Sequence, residues 1–196
     1  MSNKKPDFST VIVTPVFQLS YPHVWEPKFN PLAKREQYSI QMLFAKTEKA
    51  QLLPMNELVT KLIAWKWGSN VTGIKRPFQD GDTIKDQAGT LKCEKNPSYN
   101  GMILLSSWSR QQPGIVDGTG KHPITQEDEI YGGCYCCAQL NAYCYEQGGN
   151  RGVSFGLMHI QKRKDGKPFG NRTRAEDAFA PVENAGAEVA EDEFFK

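Results

Sequence analysis

Residues 134–145 read Cys-Tyr-Cys-Cys-Ala-Gln-Leu-Asn-Ala-Tyr-Cys-Tyr. In an extended strand successive side chains point to opposite faces. One face then carries Cys134, Cys136, Ala138, Leu140, Ala142 and Cys144, and the other Tyr135, Cys137, Gln139, Asn141, Tyr143 and Tyr145. The first set suits the tapering interior of a small barrel, where a thiol acts as a small hydrophobe. The second offers rings that can stack on flat bases and amides that can bond to base edges. A solvated tyrosine face is the ordinary alternative. A second group is cationic: Gln161-Lys162-Arg163-Lys164-Asp165-Gly166-Lys167 is followed by Arg172 and Arg174 and interleaved with Phe169. Such a run is usually a solvated face. Near a tyrosine-bearing strand in sequence, it reads as a groove that follows a phosphate backbone beside a stacking platform.

Other chemistry finds little support. Zinc sites space their cysteines in pairs with two to four residues between them. Here Cys134 and Cys136 are closer than that, Cys137 lies on the other face, Cys93 is distant, and no second pair exists. The histidines, His23, His122 and His159, fall in no nucleophile or metal-ligand pattern. His122 precedes a proline in a polar loop and His159 sits among apolar residues, so structural roles are expected for both. Glu127-Asp128-Glu129 and the Asp80-Gly81-Asp82 turn are the carboxylates that a metal-dependent nuclease would need. Thr125 followed by Asp128 also fits a capping box opening a short helical turn. No phosphate-cradling GxxxxGK loop is present. The residues point to a binding protein with no cofactor and no catalytic group.

The elements that hold these residues read as strand-rich. The chain has 196 residues, room for one domain and a tail. Residues 10–20 are β-branched and aromatic, with Pro15 marking an edge or bulge. Residues 37–44 alternate polar and apolar as a half-buried strand does. A helix is expected from Thr47, as N-cap, to about Trp67, with Gly68 as the stop; Pro54 implies a later start or a kink. Residues 101–108 form a strand, residues 110–128 a long polar loop, and residues 131–145 the longest strand, closed by Gly148-Gly149-Asn150. Turns are expected at Asp80–Asp82 and Gly89, and residues 153–161 fit either helix or strand. The sum is a mainly β fold with one or two helices, a five-stranded, partly open Greek-key barrel with long loops. No apolar run is long enough for a bilayer. The start of the chain shows no apolar segment behind its lysines, so no secretory signal is expected. Five cysteines, four of them crowded into one segment, suit a reducing cytoplasm.

Charge divides unevenly. From Glu183 onward there are five acids and one base, a net charge of −4, so the remaining residues carry +6. Two domains of behaviour follow: residues 1–180 as the binding domain and residues 181–196 as a disordered acidic tail.

The chain resembles the phage-encoded single-stranded DNA-binding proteins. The resemblance rests on Glu26-Pro27-Lys28, Tyr38 through Lys46, Pro113-Gly114-Ile115-Val116-Asp117, and Glu129-Ile130-Tyr131-Gly132-Gly133-Cys134-Tyr135. It continues in Gly152 through Leu157 and Asp165-Gly166-Lys167-Pro168-Phe169-Gly170. It implies an OB-fold and sequence-independent binding and protection of single strands in phage replication, recombination and repair, in the host cytoplasm. It also implies that Glu191, Asp192, Glu193, Phe194 and Phe195 recruit replication or recombination proteins and compete with DNA. The expected stacking rings are Tyr99, Trp108, Tyr135, Tyr143 and Tyr145, and the expected phosphate ligands Arg110, Arg151, Lys162, Arg163 and Lys164. No membrane partner is expected, and the protein is expected to be a monomer or homodimer. The alternatives are the metal-dependent nuclease above and a protein–protein adaptor whose rings serve a partner.

Overall fold

The computed structural model describes residues 6–169 apart from Leu32 and Gln87. The β-branched opening forms two strands, β1 (Val11–Val13) and β2 (Phe17–Asn30). They part at Pro15, which has no N–H to give a ladder. Thr14 spans the break: its N–H donates to the Ala138 carbonyl at 2.9 Å, and its Oγ1 accepts from the Ala138 N–H at 3.0 Å.

β3 (Arg35–Ala45) alternates as expected, burying Ile40, Met42 and Phe44 and turning Gln37, Ser39 and Gln41 to the other face. A 3₁₀ turn (Lys46–Leu52) then leads into α1 (Leu53–Trp67). The helix starts later than Thr47, and neither start carries a side-chain cap. Pro54 is the reason, since its ring is tolerated only in a first helical turn. Gly68, at φ +59°, ends α1 and donates to the Ala64 carbonyl at 2.9 Å. The helix buries Met55, Leu58, Val59, Leu62 and Ile63.

The remaining elements are β4 (Ile74–Lys75), β5 (Phe78–Asp80), α2 (Lys92–Lys95), β6 (Met102–Ser109), β7 (Gly114–Val116), β8 (Tyr135–Gln147) and β9 (Asn150–Lys164). The ambiguous 153–161 stretch is strand. β7 lies inside the stretch read as a polar loop, paired parallel to β9. Between β8 and β9, Gly148 and Gly149 both take positive φ (57° and 78°), which a two-residue hairpin of this hand requires.

Five strands close a ring in the order β2–β3–β6–β9–β8, with β8 returning to β2. All contacts are antiparallel except β6–β9, a parallel seam of two residue pairs, Ser107 with Phe155 and Trp108 with Gly156. This is the partly open five-stranded OB barrel. Phe17, Leu19, Met42, Leu105, Leu140, Phe155 and Ile160 fill it. A smaller cluster, Leu43, Tyr99 and Leu104, lies outside the barrel, where residues 81–100 fold over β3 and β6. No helix among the described residues is long and apolar enough to cross a membrane.

Candidate nucleic-acid interface

With Ile40, Met42 and Leu105 turned inward, the outer face of β3 and β6 is left with Gln37, Ser39, Gln41, Ser106 and Trp108. These form the floor of a cleft of about 640 Å³. Its rim is built from Tyr21, His23 and Asn30 on β2 and from Asp86, Lys92, Lys95, Asn96 and Tyr99 in the excursion between β5 and β6.

Tyr21 owes its position to a bulge. The β2–β3 register shifts between Ser20 and His23, and Tyr21 takes φ +45°, a region that non-glycine residues seldom occupy. Pro22 cannot donate to the ladder, so the strand bulges there and lifts the Tyr21 ring to 58% exposure. Beside it, burial and then the charge of Lys28 hold the His23 imidazole below its ordinary pKa, leaving it neutral at pH 7. Lys95 is paired with Asp86 at 2.5 Å. Lys92 has no carboxylate partner among the described residues and is the free cation of the rim.

Trp108 is held from two sides. The Arg35 guanidinium lies 4.1 Å from its ring centroid, and Tyr143 meets it edge-on, with centroids 6.3 Å apart and planes at 86°. Gly156 lies beside the second contact. It pairs with Trp108 across the seam and lies opposite Asn141, so the Tyr143 ring leans over a position that has no side chain.

The alternation expected for residues 134–145 holds as far as Ala142: Cys134, Cys136, Ala138, Leu140 and Ala142 are buried and the tyrosine face is outward, whereas Cys144 is only partly buried. The rings on that face are nevertheless dispersed. Tyr135 pairs in register with Lys164, whose Nζ sits 4.5 Å from the ring, while Tyr145 lies next to Gly152 near the hairpin turn. At roughly 3.3 Å per residue the two stand roughly 30 Å apart. The basic stretch therefore lies beside Tyr135 and Tyr131, whose ring centroid is 6.0 Å from the Lys162 Nζ, and forms no common groove with Tyr143 and Tyr145.

The other expected cations are variously engaged. Lys162 bridges Asp165 at 3.0 Å and Glu129 at 3.6 Å. Arg163 donates to Gln161 at 3.1 Å, and Arg151 holds Asn70 and the Thr72 carbonyl at 2.9 and 2.7 Å. Arg110 is exposed just beyond the end of β6, two residues past Trp108. Tyr99 is only 5% exposed, and its hydroxyl donates to the Gln41 amide oxygen, so little of its ring is open to the cleft. Phe169 packs on the outer cluster instead of among the cations. The residues Glu191, Asp192, Glu193, Phe194 and Phe195 lie outside the described residues.

Sequence reasoning missed Tyr21, His23, Arg35, Lys92 and Lys95. Only Tyr21 carried a local signal, an aromatic placed before a proline within a strand. The lysines reach the cleft through the fold of residues 81–100, which no periodicity marks.

Most of the remaining reactive groups are buried or engaged with protein partners. All five cysteines are free thiols, and burial raises the Cys137 thiol and pushes the Cys144 thiol up to about 11. Asp80 and Asp82 both bind Lys46, at 2.5 and 2.6 Å, and this hydrogen bonding holds both carboxyls below the usual range. Glu127–Glu129 form a 3₁₀ turn with Gln126 as N-cap, so the capping box from Thr125 does not form. Among the described residues, no three of His, Cys, Asp and Glu gather as a metal site would require. His122 bonds Asp117 at 2.9 Å, whereas His159 stands exposed, contrary to its apolar sequence surroundings.

An OB barrel with rings, amides and cations on the face of its second and third strands is the architecture of oligonucleotide-binding proteins. Over residues 10–195 the chain matches the family described as Enterobacter phage Enc34, ssDNA-binding protein, and it belongs to that family. A curated relative, putative protein p50 of Acyrthosiphon pisum secondary endosymbiont phage 1, is 25% identical over 162 residues, 78% of this chain and 82% of p50. The single-stranded DNA-binding protein of bacteriophage Enc34, solved in complex with ssDNA, superimposes with a TM-score of 0.69 at 21% identity, covering 82% of this chain and 90% of that one. For gp2.5, the single-stranded DNA-binding protein of bacteriophage T7, the TM-score is 0.55 at 13% identity, covering 92% and 98%. At these identities the structural likenesses establish the fold.

Proposed function

We propose that this chain captures single-stranded DNA in the β3–β6 cleft without reading its sequence, as a non-enzymatic phage protein of replication, recombination or repair. The observation that carries this reading is the placement of Trp108 and Tyr21 with the uncompensated Lys92 around one polar floor. Rings accept any base because every base has a π-face, and cations track the phosphates. Gln37 and Ser39 can bond base edges in several orientations, which suits tolerance over readout. Tyr99 serves as the post that holds the Gln41 amide in place. The binding domain spans residues 1–180, and the acidic tail, residues 181–196, recruits partner proteins and occupies the cationic face when DNA is absent.

A salt titration of oligo-dT affinity tests this. Affinity is expected to fall linearly on a log–log plot with salt, and Lys92→Ala to flatten the slope by about 0.7, one single-strand phosphate contact. A version ending at Pro181 is expected to bind more tightly than the full chain at low salt, with the difference vanishing as salt screens the charges. A slope unchanged by Lys92→Ala removes that residue from the DNA path. Equal affinities with and without the tail at low salt remove the competition.

A further inference from the structure

The Trp108–Tyr143 pair belongs to two depressions. Trp108 lines the cleft, and Tyr143 lines a second groove of about 830 Å³ on the adjoining surface. That groove is bounded by Val11, by Met158 on β9 and by Trp65 and Lys66 near the end of α1. Trp65 is 38% exposed and Val11 42%, so both present apolar surface to this groove. Lys66 is the only charged residue lining the groove, and no carboxylate does so among the described residues. Asn141 accepts a bond from Thr10 at 2.7 Å through its amide oxygen, which leaves its two N–H donors for a ligand.

We infer that the bound strand continues out of the cleft, over the edge formed by Trp108 and Tyr143, and into this second groove. There Trp65 stacks on a further base and Lys66 meets a phosphate. The inference rests on the β3–β6 cleft binding single-stranded DNA and extends that site across β9 and β8. Two arguments favour this occupant over a second copy or another protein. The surface is continuous with the cleft through rings in mutual contact, one lining each depression. Its charge is also of one sign and matched to phosphate. A base that crosses the edge meets Tyr143 next, so the ring pair works as a step between the two segments.

The test is an oligo-dT ladder, lengthened one nucleotide at a time, titrated against the full chain and against Trp65→Ala and Lys66→Ala. Wild-type affinity is expected to climb in two stages, the first from filling the cleft and the second from entering the groove. Trp65→Ala should leave the first stage intact and weaken the longer oligonucleotides by about fivefold to a hundredfold, the range set by one stacked base. Lys66→Ala is exposed and tolerates truncation; it should weaken the same stage and lower its salt slope, so the test survives if the tryptophan variant folds poorly. If both variants bind every length as wild type does, the extension is wrong. If Trp65→Ala changes the sedimentation coefficient of the free protein and no DNA affinity, the groove serves a second copy and the extension is again wrong. Loss of the first stage on Trp108→Ala keeps the cleft reading independent of either result; a chain that binds no short oligonucleotide overturns the cleft reading itself.

Discussion

Trp108→Ala is expected to weaken oligo-dT binding by about 1–3 kcal/mol, the usual worth of one base stacked on a protein ring. The expectation comes from how the ring is held. Arg35 covers part of Trp108 at 4.1 Å and Tyr143 fixes its edge, so the indole is already ordered before DNA arrives. Little rotamer freedom is then lost on binding, and most of the stacking free energy reaches the affinity. The seam register places the ring outward at the end of β6, so its removal leaves the barrel interior untouched. Trp108→Phe should retain most of the affinity, since stacking is tolerant of ring type. Fluorescence anisotropy at fixed salt measures both variants. A loss no larger than that of an exposed surface substitution would show that the indole only supports Tyr143 and Arg35.

Phe155→Ala should destabilise the fold by about 3–5 kcal/mol, the range found for truncating a buried ring. The residue is 0% exposed and packs on Phe78 with ring centroids 6.4 Å apart. Its carbonyl accepts the buried Ser107 hydroxyl at 2.9 Å, across the one parallel contact that closes the barrel. With stabilities of small domains at about 5–15 kcal/mol, that is a large share of the total. Urea unfolding reads it as a lower midpoint at unchanged slope. Because Trp108 follows Ser107 in the same seam, the variant should also bind DNA more weakly in its folded fraction. A cost below about 1 kcal/mol would mean that the seam closes without this ring.

Much of the architecture is legible in the sequence. Period-two alternation in residues 37–44 and 134–145 marked β3 and β8 and told their faces apart, because a strand with one face in the core cannot slip register. Glycines fixed the β8–β9 turn and the end of α1. The site was harder to read. Trp108 and Tyr143 were singled out for their chemistry, yet the sequence holds nothing that brings positions 108 and 143 together. Their contact depends on the parallel seam, a long-range pairing that sets Trp108 beside Gly156. Proximity in sequence misled in the opposite direction: Lys162–Lys164 lie close to Tyr143 and Tyr145 along the chain, but hairpin geometry sends them to the far end. Lys162 is moreover held by two carboxylates. Lys92 and Lys95 were invisible because an irregular excursion, anchored by Tyr99 under Gln41, carries them over the cleft.

Photochemical crosslinking with an iododeoxyuridine-substituted oligo-dT, followed by sequencing of the crosslinked peptides, tests the central claim most directly. The label reacts with aromatic side chains in contact with the base. Crosslinks are predicted at Tyr21 and Trp108, which line the cleft from β2 and β6. Crosslinks confined to Tyr131 and Tyr135 at the far end of the hairpin would place the DNA on the basic stretch, and the account of the cleft would be wrong.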